Sequence, residues 1–176
     1  MKKRHKLGLL FVATLISFSA YFLSKDISLL KSFGYFGIFV INLIAASTIF
    51  LPAPSFLAVI AAGMFLNPFL VALFSAFGAS IGELTGYMAG TGGEEFIENK
   101  KWYKKVRLWM DKNGIITLFI LAAVPNPFFD MAGMIAGATN ISVKKYLLVV
   151  FAGKFVKFLM FANLGVSSIG FINKLI

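Results

Sequence analysis

Four ionisable side chains stand inside stretches that are otherwise apolar: Glu83, Asp130, Lys154 and Lys157. A charge at the centre of a lipid bilayer costs roughly 2.5–3.5 kcal/mol on insertion scales. A chain that keeps four of them either pairs them or uses them. Lys154 and Lys157 are three residues apart and so share a helix face. Together they offer two cations to an anion such as a phosphate, and the two carboxylates could carry protons. Two readings stand side by side. The four charges pair and hold a helix bundle together, or they form a ligand- or proton-responsive polar site. Asn126 lies between Pro125 and Pro127. Its amide either caps a helix or contacts a substrate.

Other chemistries are excluded or disfavoured by composition. There is no cysteine, so thiolate chemistry and disulfides are absent. The one histidine, His5, sits in a basic N-terminal run, which removes His-based metal sites and Ser-His or Cys-His catalysis from the apolar region. No Gly-x-x-x-x-Gly-Lys-Ser/Thr loop occurs, so no nucleotide-driven motor is encoded. Only Glu83 and Asp130 could do acid–base work, and no nucleophile–base pair accompanies them. We expect no enzyme, no metal and no cofactor.

The elements that must hold these charges are membrane helices. The chain is 59% hydrophobic with a mean hydropathy of +0.87. From Ser32 to Gly82 there are 51 residues without Asp, Glu, Lys or Arg. A bilayer span needs about 20 apolar residues, so this stretch must turn within or at the edge of the membrane. A chain of 176 residues could not cover such a core with polar surface in water. The net charge of +10 comes largely from lysines that flank apolar blocks. There they favour anionic lipid head groups and set topology, and no nucleic-acid partner is expected.

Read in order, Leu7 to Leu23 is an uncleaved first span after the basic tail, within a segment 1–32 that ends in a short polar link. Residues 33–64 are apolar and broken at Pro52-Ala53-Pro54, because each proline lacks a backbone donor and disfavours helix in the residue before it. Asn67-Pro68 starts a span over 67–90. Along it run Gly78, Gly82, Gly86 and Gly90, small residues at four-residue spacing that permit close helix packing, as does Gly153 later. Glu83 therefore faces protein beside this seam. Residues 94–112 read as an interfacial amphipathic helix. Trp102, Val106, Trp109 and Met110, with Tyr103, lie on one side and the lysines largely elsewhere. Residues 113–140 are broken at Pro125-Asn126-Pro127, and 146–171 form the last span.

The two broken segments repeat. Pro52-Ala53-Pro54 precedes Ala62-Gly63, and Pro125-Asn126-Pro127 precedes Ala136-Gly137, with offsets of 73 residues at the first proline and 74 at the glycine. The same shift of 74 carries Glu83 onto Lys157. The basic tail, the basic helix 94–112 and Lys144-Lys145 all belong on the cytoplasmic side. That leaves 33–64 entering from outside and 113–140 entering from inside, two opposed re-entrant hairpins. The expected fold is an all-α integral membrane protein: an inverted repeat of re-entrant helical hairpin plus transmembrane helix, with an extra N-terminal span and the interfacial helix. Full crossing by 33–50 is the alternative. Broken helices at membrane depth are tolerated where they are buried in protein or line a wet cavity, and their free N–H groups suit an anionic ligand.

The chain resembles the VTT domain family, which includes the bacterial DedA proteins, the SNARE-associated Golgi protein group and the eukaryotic vacuole membrane protein. The resemblance covers about residues 33–170. It rests on the Gly-rich span Gly78–Gly90 with Glu83 before Gly86-Tyr87, on Val124-Pro125-Asn126-Pro127-Phe128-Phe129-Asp130-Met131-Ala132-Gly133, and on Gly153-Lys154-Phe155-Val156-Lys157. It implies two opposed re-entrant hairpins and movement of lipids between leaflets, coupled in bacterial members to protons and polyprenyl-phosphate carriers. The chain departs from the DedA pattern at Ala122 and Phe128, where arginines are expected, and at Ala46-Ser47, where an acidic residue is expected. The resemblance thus carries lipid movement further than proton coupling. The functional expectation is a lipid scramblase or transporter in the cell membrane, working on anionic or phosphate-bearing lipids without ATP. The head group would pass Glu83, Asp130, Asn126, Lys154 and Lys157. A proton-coupled solute transporter and a non-transporting scaffold are the alternatives.

Overall fold

The computed structural model describes residues 27–47, 55–92, 101–126, 128–139 and 141–175. The expected first span, Pro52, Pro54 and Pro127 lie outside the described residues. Every regular element among the described residues is helical. The chain divides into a unit Met1–Gly34 and a unit Tyr35–Ile176, and the second carries the features below. Helix α1 (Ile27–Ser47) is broken at the unit boundary, where Gly34 takes φ 49°, a backbone region that glycine enters without a steric penalty.

Helix α2 (Ser55–Phe65) follows the first proline segment. Helix α3 (Pro68–Gly82) begins where the sequence places it. Asn67 accepts hydrogen bonds from the Phe69 and Leu70 N–H groups (3.0 and 3.3 Å), and Pro68 fills the first turn. Helix α4 (Leu84–Gly92) continues α3 after an interruption at Glu83. The stretch Pro68–Thr91 is one of two long and apolar enough to cross a membrane, and Val143–Ser168 is the other. Helix α5 (Lys101–Ala123) holds both the basic segment and the first arm of the second broken region. The sequence reads these as two elements meeting at 112–113. Two helical segments do meet there, across a break at Asn113 (φ −156°, ψ 75°), and the Thr117 hydroxyl donates to Trp109 O (3.0 Å) over the bend. Asn and Gly114 are weak helix formers, so the direction changes there while the apolar run beyond stays helical. Helix α6 (Phe129–Ala138) and helix α7 (Val143–Leu175) complete the chain.

Large apolar side chains point outward along these helices. Leu148 is 70% exposed, Met88 67%, Phe36 63% and Met160 62%. Contiguous apolar exteriors of this kind suit lipid rather than water. Inside, small residues let backbones touch, as in membrane bundles. Alanines and valines such as Ala72, Ala76, Ala132, Ala136 and Val150 are wholly buried.

The helices interlock across the two halves. Helix α2 packs on α7, and α4 packs on α6. A Cβ added at Gly63 would collide with the Ala162 backbone, and one at Gly165 with Ile60. In the other contact a Cβ at Gly137 would strike the Tyr87 backbone, and one at Gly90 the Met134 backbone. A third match lies within the halves. Gly78 abuts Phe39 O and Leu43 N, and Gly153 abuts Phe119 O and Ala123 N. Helix α1 runs beside α3 in the same direction, from Tyr35 stacked on Phe74 (5.6 Å) to Ser47 O, which accepts from the Thr85 hydroxyl (3.2 Å).

On the basic half of α5, Tyr103, Val106 and Met110 are buried, while Lys104, Lys105, Leu108, Trp109 and Lys112 are exposed. Residues 94–100 and the side chain of Trp102 lie outside the described residues. The Lys105 ammonium sits over the Trp109 ring at 5.3 Å, and Arg107 pairs with Asp111 at 3.1 Å.

Candidate functional site

Glu83 stands at the joint between α3 and α4. Its N–H still donates to Ala79 O (2.9 Å), but the helix is interrupted after it. The local cause is legible in the hydrogen bonds. The Thr85 hydroxyl reaches both Gly82 O (2.9 Å) and Ser47 O of α1 (3.2 Å), a side-chain competitor for backbone bonding. The Glu83 carbonyl accepts from Tyr87 N (3.2 Å) and from the Tyr146 hydroxyl on α7 (3.3 Å). The joint is thereby tied to two other helices.

The Glu83 carboxylate meets the Lys154 ammonium of α7, with Nζ 2.5 Å from Oε1, and both side chains are buried. Lys154 Nζ also lies 4.4 Å from the centroid of the Phe129 ring, a cation–π contact. Its charge is thus matched on one side by a carboxylate and on another by an aromatic face. Tyr146 is wholly buried and stacks against Tyr87 at 4.8 Å. Tyr87 in turn donates to Ile141 O at the foot of α7 (2.7 Å). Gly133 of α6 leaves room for the Tyr146 hydroxyl, which a Cβ there would meet at 3.0 Å.

Asp130 and Lys157 complete the cluster in a different state. Both lie within electrostatic reach of Glu83, and Asp130 within reach of both lysines. Asp130 is exposed, in the first turn of α6, where the helix dipole favours a carboxylate. Lys157 is half-buried, one turn beyond Lys154, with Nζ 5.6 Å from the Phe158 ring centroid. Neither forms an ion pair within 4.0 Å among the described residues.

Asn126 holds the turn between α5 and α6. Its Nδ2 donates to Leu121 O and Val124 O (both 2.7 Å), and its Oδ1 accepts from Phe128 N (2.9 Å). The amide is therefore engaged with backbone, the capping use of the two open from sequence. This turn sits beside the middle of the apolar part of α7. The end of α5 abuts Gly153, and the start of α6 brings Phe129 to Lys154. Pro125 is exposed at the turn. Of the seam glycines, Gly78, Gly82, Gly90 and Gly153 all press on neighbouring backbone, whereas a Cβ at Gly86 would meet nothing within 4 Å.

Sequence reasoning missed Tyr146 and Phe129 as members of this cluster. Tyr146 follows Lys144-Lys145 as the first residue of the last expected span, and its ring is wholly buried. Phe129 carries no signal beyond its place before Asp130.

An all-helical bundle with two membrane-length helices, an apolar exterior and a buried carboxylate–ammonium pair defines a helical membrane protein. A model of the VTT domain matches residues 51–167, well over half the chain, and the chain belongs to that family. It is similar to an uncharacterized protein of Methanocaldococcus jannaschii, 28% identical over 136 residues that cover 74% of this chain and 83% of that protein. No solved structure matches.

Proposed function

We propose that the protein moves lipid head groups between leaflets without ATP hydrolysis, as a scramblase or transporter of phospholipid or polyprenyl phosphate in the cell membrane. The observation that carries this reading is that Asp130 and Lys157 have no ion-pair partner within 4.0 Å among the described residues, beside a satisfied Glu83–Lys154 pair, within a largely apolar bundle. Unpaired charge at membrane depth is costly and marks substrate paths. Lys157 would attract the phosphate, and Asp130 a cationic or hydrogen-bond-donating part of the head group. The Glu83–Lys154 pair would hold the two spans together. Acyl tails would stay in the bilayer against the exposed apolar side chains.

The finer architecture belongs to the same proposal. Residues 33–64 and 113–140 would be opposed re-entrant hairpins of an inverted repeat, with the N-terminus cytoplasmic and α5 entering from the interface. The matched glycine contacts support it: Gly63 with Ala162 answers Gly137 with Tyr87, and Gly78 with Phe39 answers Gly153 with Phe119. So does the position of the 124–128 turn beside the middle of α7.

The test is lipid translocation in liposomes that contain the pure protein, a fluorescent phospholipid and a dithionite quench. Quenching well beyond the outer-leaflet half, absent from protein-free vesicles, is expected. Lys157→Met should slow it at least ten-fold. Full protection of the inner half would reject generic scrambling. One observation favours a second reading. Glu83 and Lys154 satisfy each other, as they would in a scaffold that moves nothing, and the same assay separates the two.

A further inference from the structure

Outside the charge cluster, two wholly buried polar atoms lack a hydrogen-bond partner among the described residues: Asn42 Oδ1 on α1 and Ser75 Oγ on α3. Asn42 Nδ2 is satisfied by Ile38 O (2.9 Å), so the orphaned atom is the acceptor. Both residues lie where α1 and α3 run side by side, between the Tyr35–Phe74 stack and the contact of Gly78 with Phe39 and Leu43. An unpaired buried carbonyl or hydroxyl costs about 1–3 kcal/mol. The second half has a matching contact, Gly153 against Phe119 and Ala123. Carrying the register across, from 39 and 43 to 119 and 123 and from 78 to 153, puts Ala122 in the place of Asn42. It puts Val150 in the place of Ser75. Ala122 and Val150 are equally buried and wholly apolar.

The two halves thus use the same backbone contact with opposite chemistry. We infer that Asn42 and Ser75 form an internal water site in the α1–α3 seam, and that the equivalent α5–α7 seam is dry. The orphaned Asn42 carbonyl needs a donor, and the Ser75 hydroxyl can both give and accept, which is what one water supplies. No larger ligand suits side chains with 1% and 0% exposure. A wet seam loses less on separation than a dry one, since water replaces each broken contact. The seam of α1 against α3 is accordingly the one that opens to water. The joint between α3 and α4 is held to α7 by the Glu83–Lys154 pair and the Tyr146 bond.

The chain has no cysteine, so single-cysteine variants report cleanly. Ser75→Cys and its matched control Val150→Cys would be placed in liposomes, exposed to silver ion for timed intervals, quenched and denatured. The remaining thiol would then be counted with a maleimide. Silver ion is small, charged and reaches thiols only through water. Ser75→Cys is expected to lose its thiol at least ten-fold faster than Val150→Cys. Asn42→Cys against Ala122→Cys repeats the comparison, and serves alone if Ser75→Cys runs as an aggregate in size exclusion. Equal rates in the two halves, or faster reaction at Val150→Cys or Ala122→Cys, would overturn the proposal. The readout does not depend on lipid movement.

Discussion

Removing one partner of a buried ion pair leaves an uncompensated charge, which costs about 3–5 kcal/mol. Glu83→Gln is therefore expected to lower stability by about that amount, because Lys154 would lose its ion-pair partner and keep its contact with Phe129. Asp130→Asn removes an exposed carboxylate with no ion-pair partner among the described residues, and a change within about 0.5 kcal/mol is expected. Thermal unfolding of the purified variants in one detergent measures both. Similar melting temperatures for the two would mean that the pair contributes little. Glu83→Gln combined with Lys154→Met should recover part of the loss, since neither member of the pair is left charged without the other. Tyr146→Phe removes one hydrogen bond to the Glu83 carbonyl while Tyr87 N–H still serves it. It should cost about 1 kcal/mol, near the net worth of one such bond.

The glycines divide by what surrounds them, although their spacing treats them alike. Gly63→Val would drive a side chain into the Ala162 backbone, and no rotamer change can relieve backbone. Little folded protein is expected, read as the monodisperse fraction in size exclusion. Gly86→Ala meets nothing within 4 Å. It should be neutral or stabilising by up to about 1 kcal/mol, because alanine loses less backbone freedom in a helix. The spacing Gly78-x-x-x-Gly82 announces a seam, but which members touch depends on the partner helix. The same distinction runs through the rest of the chain. Asn67-Pro68 and Pro125-Asn126 are local signals, and the breaks they predict are where α3 begins and α5 ends. The interruption at Glu83 depends on Ser47 and Tyr146, which are remote in sequence. Likewise, a shift of 74 residues pairs Glu83 with Lys157 by symmetry, while the ion pair forms with Lys154, one turn earlier. Sequence periodicity places both lysines on one face. Only the axial position of α7 against α3 decides which of them meets the carboxylate.

The apolar blocks and the internal repeat are visible in composition, but the exchange between halves is not, since any pairing of four similar apolar helices satisfies hydropathy equally. What decides it is the fit of glycine to backbone. Gly63 and Gly165 join α2 to α7, and Gly90 and Gly137 join α4 to α6. Each half therefore completes its packing on the other. Polar groups fare the same way, because Glu83 belongs to the first half and Lys154 to the second. A chain cut between Gly92 and Lys101 should thus yield two fragments that are each degraded or aggregate when expressed alone. Co-expressed, they should purify together through a tag on either one. The association should weaken with Gly137→Leu, which strikes the Tyr87 backbone across the cut, and survive Gly86→Ala. Stable, monodisperse separate fragments would show that each half is a self-sufficient unit, and would remove the interlocked arrangement as the source of the molecule's stability.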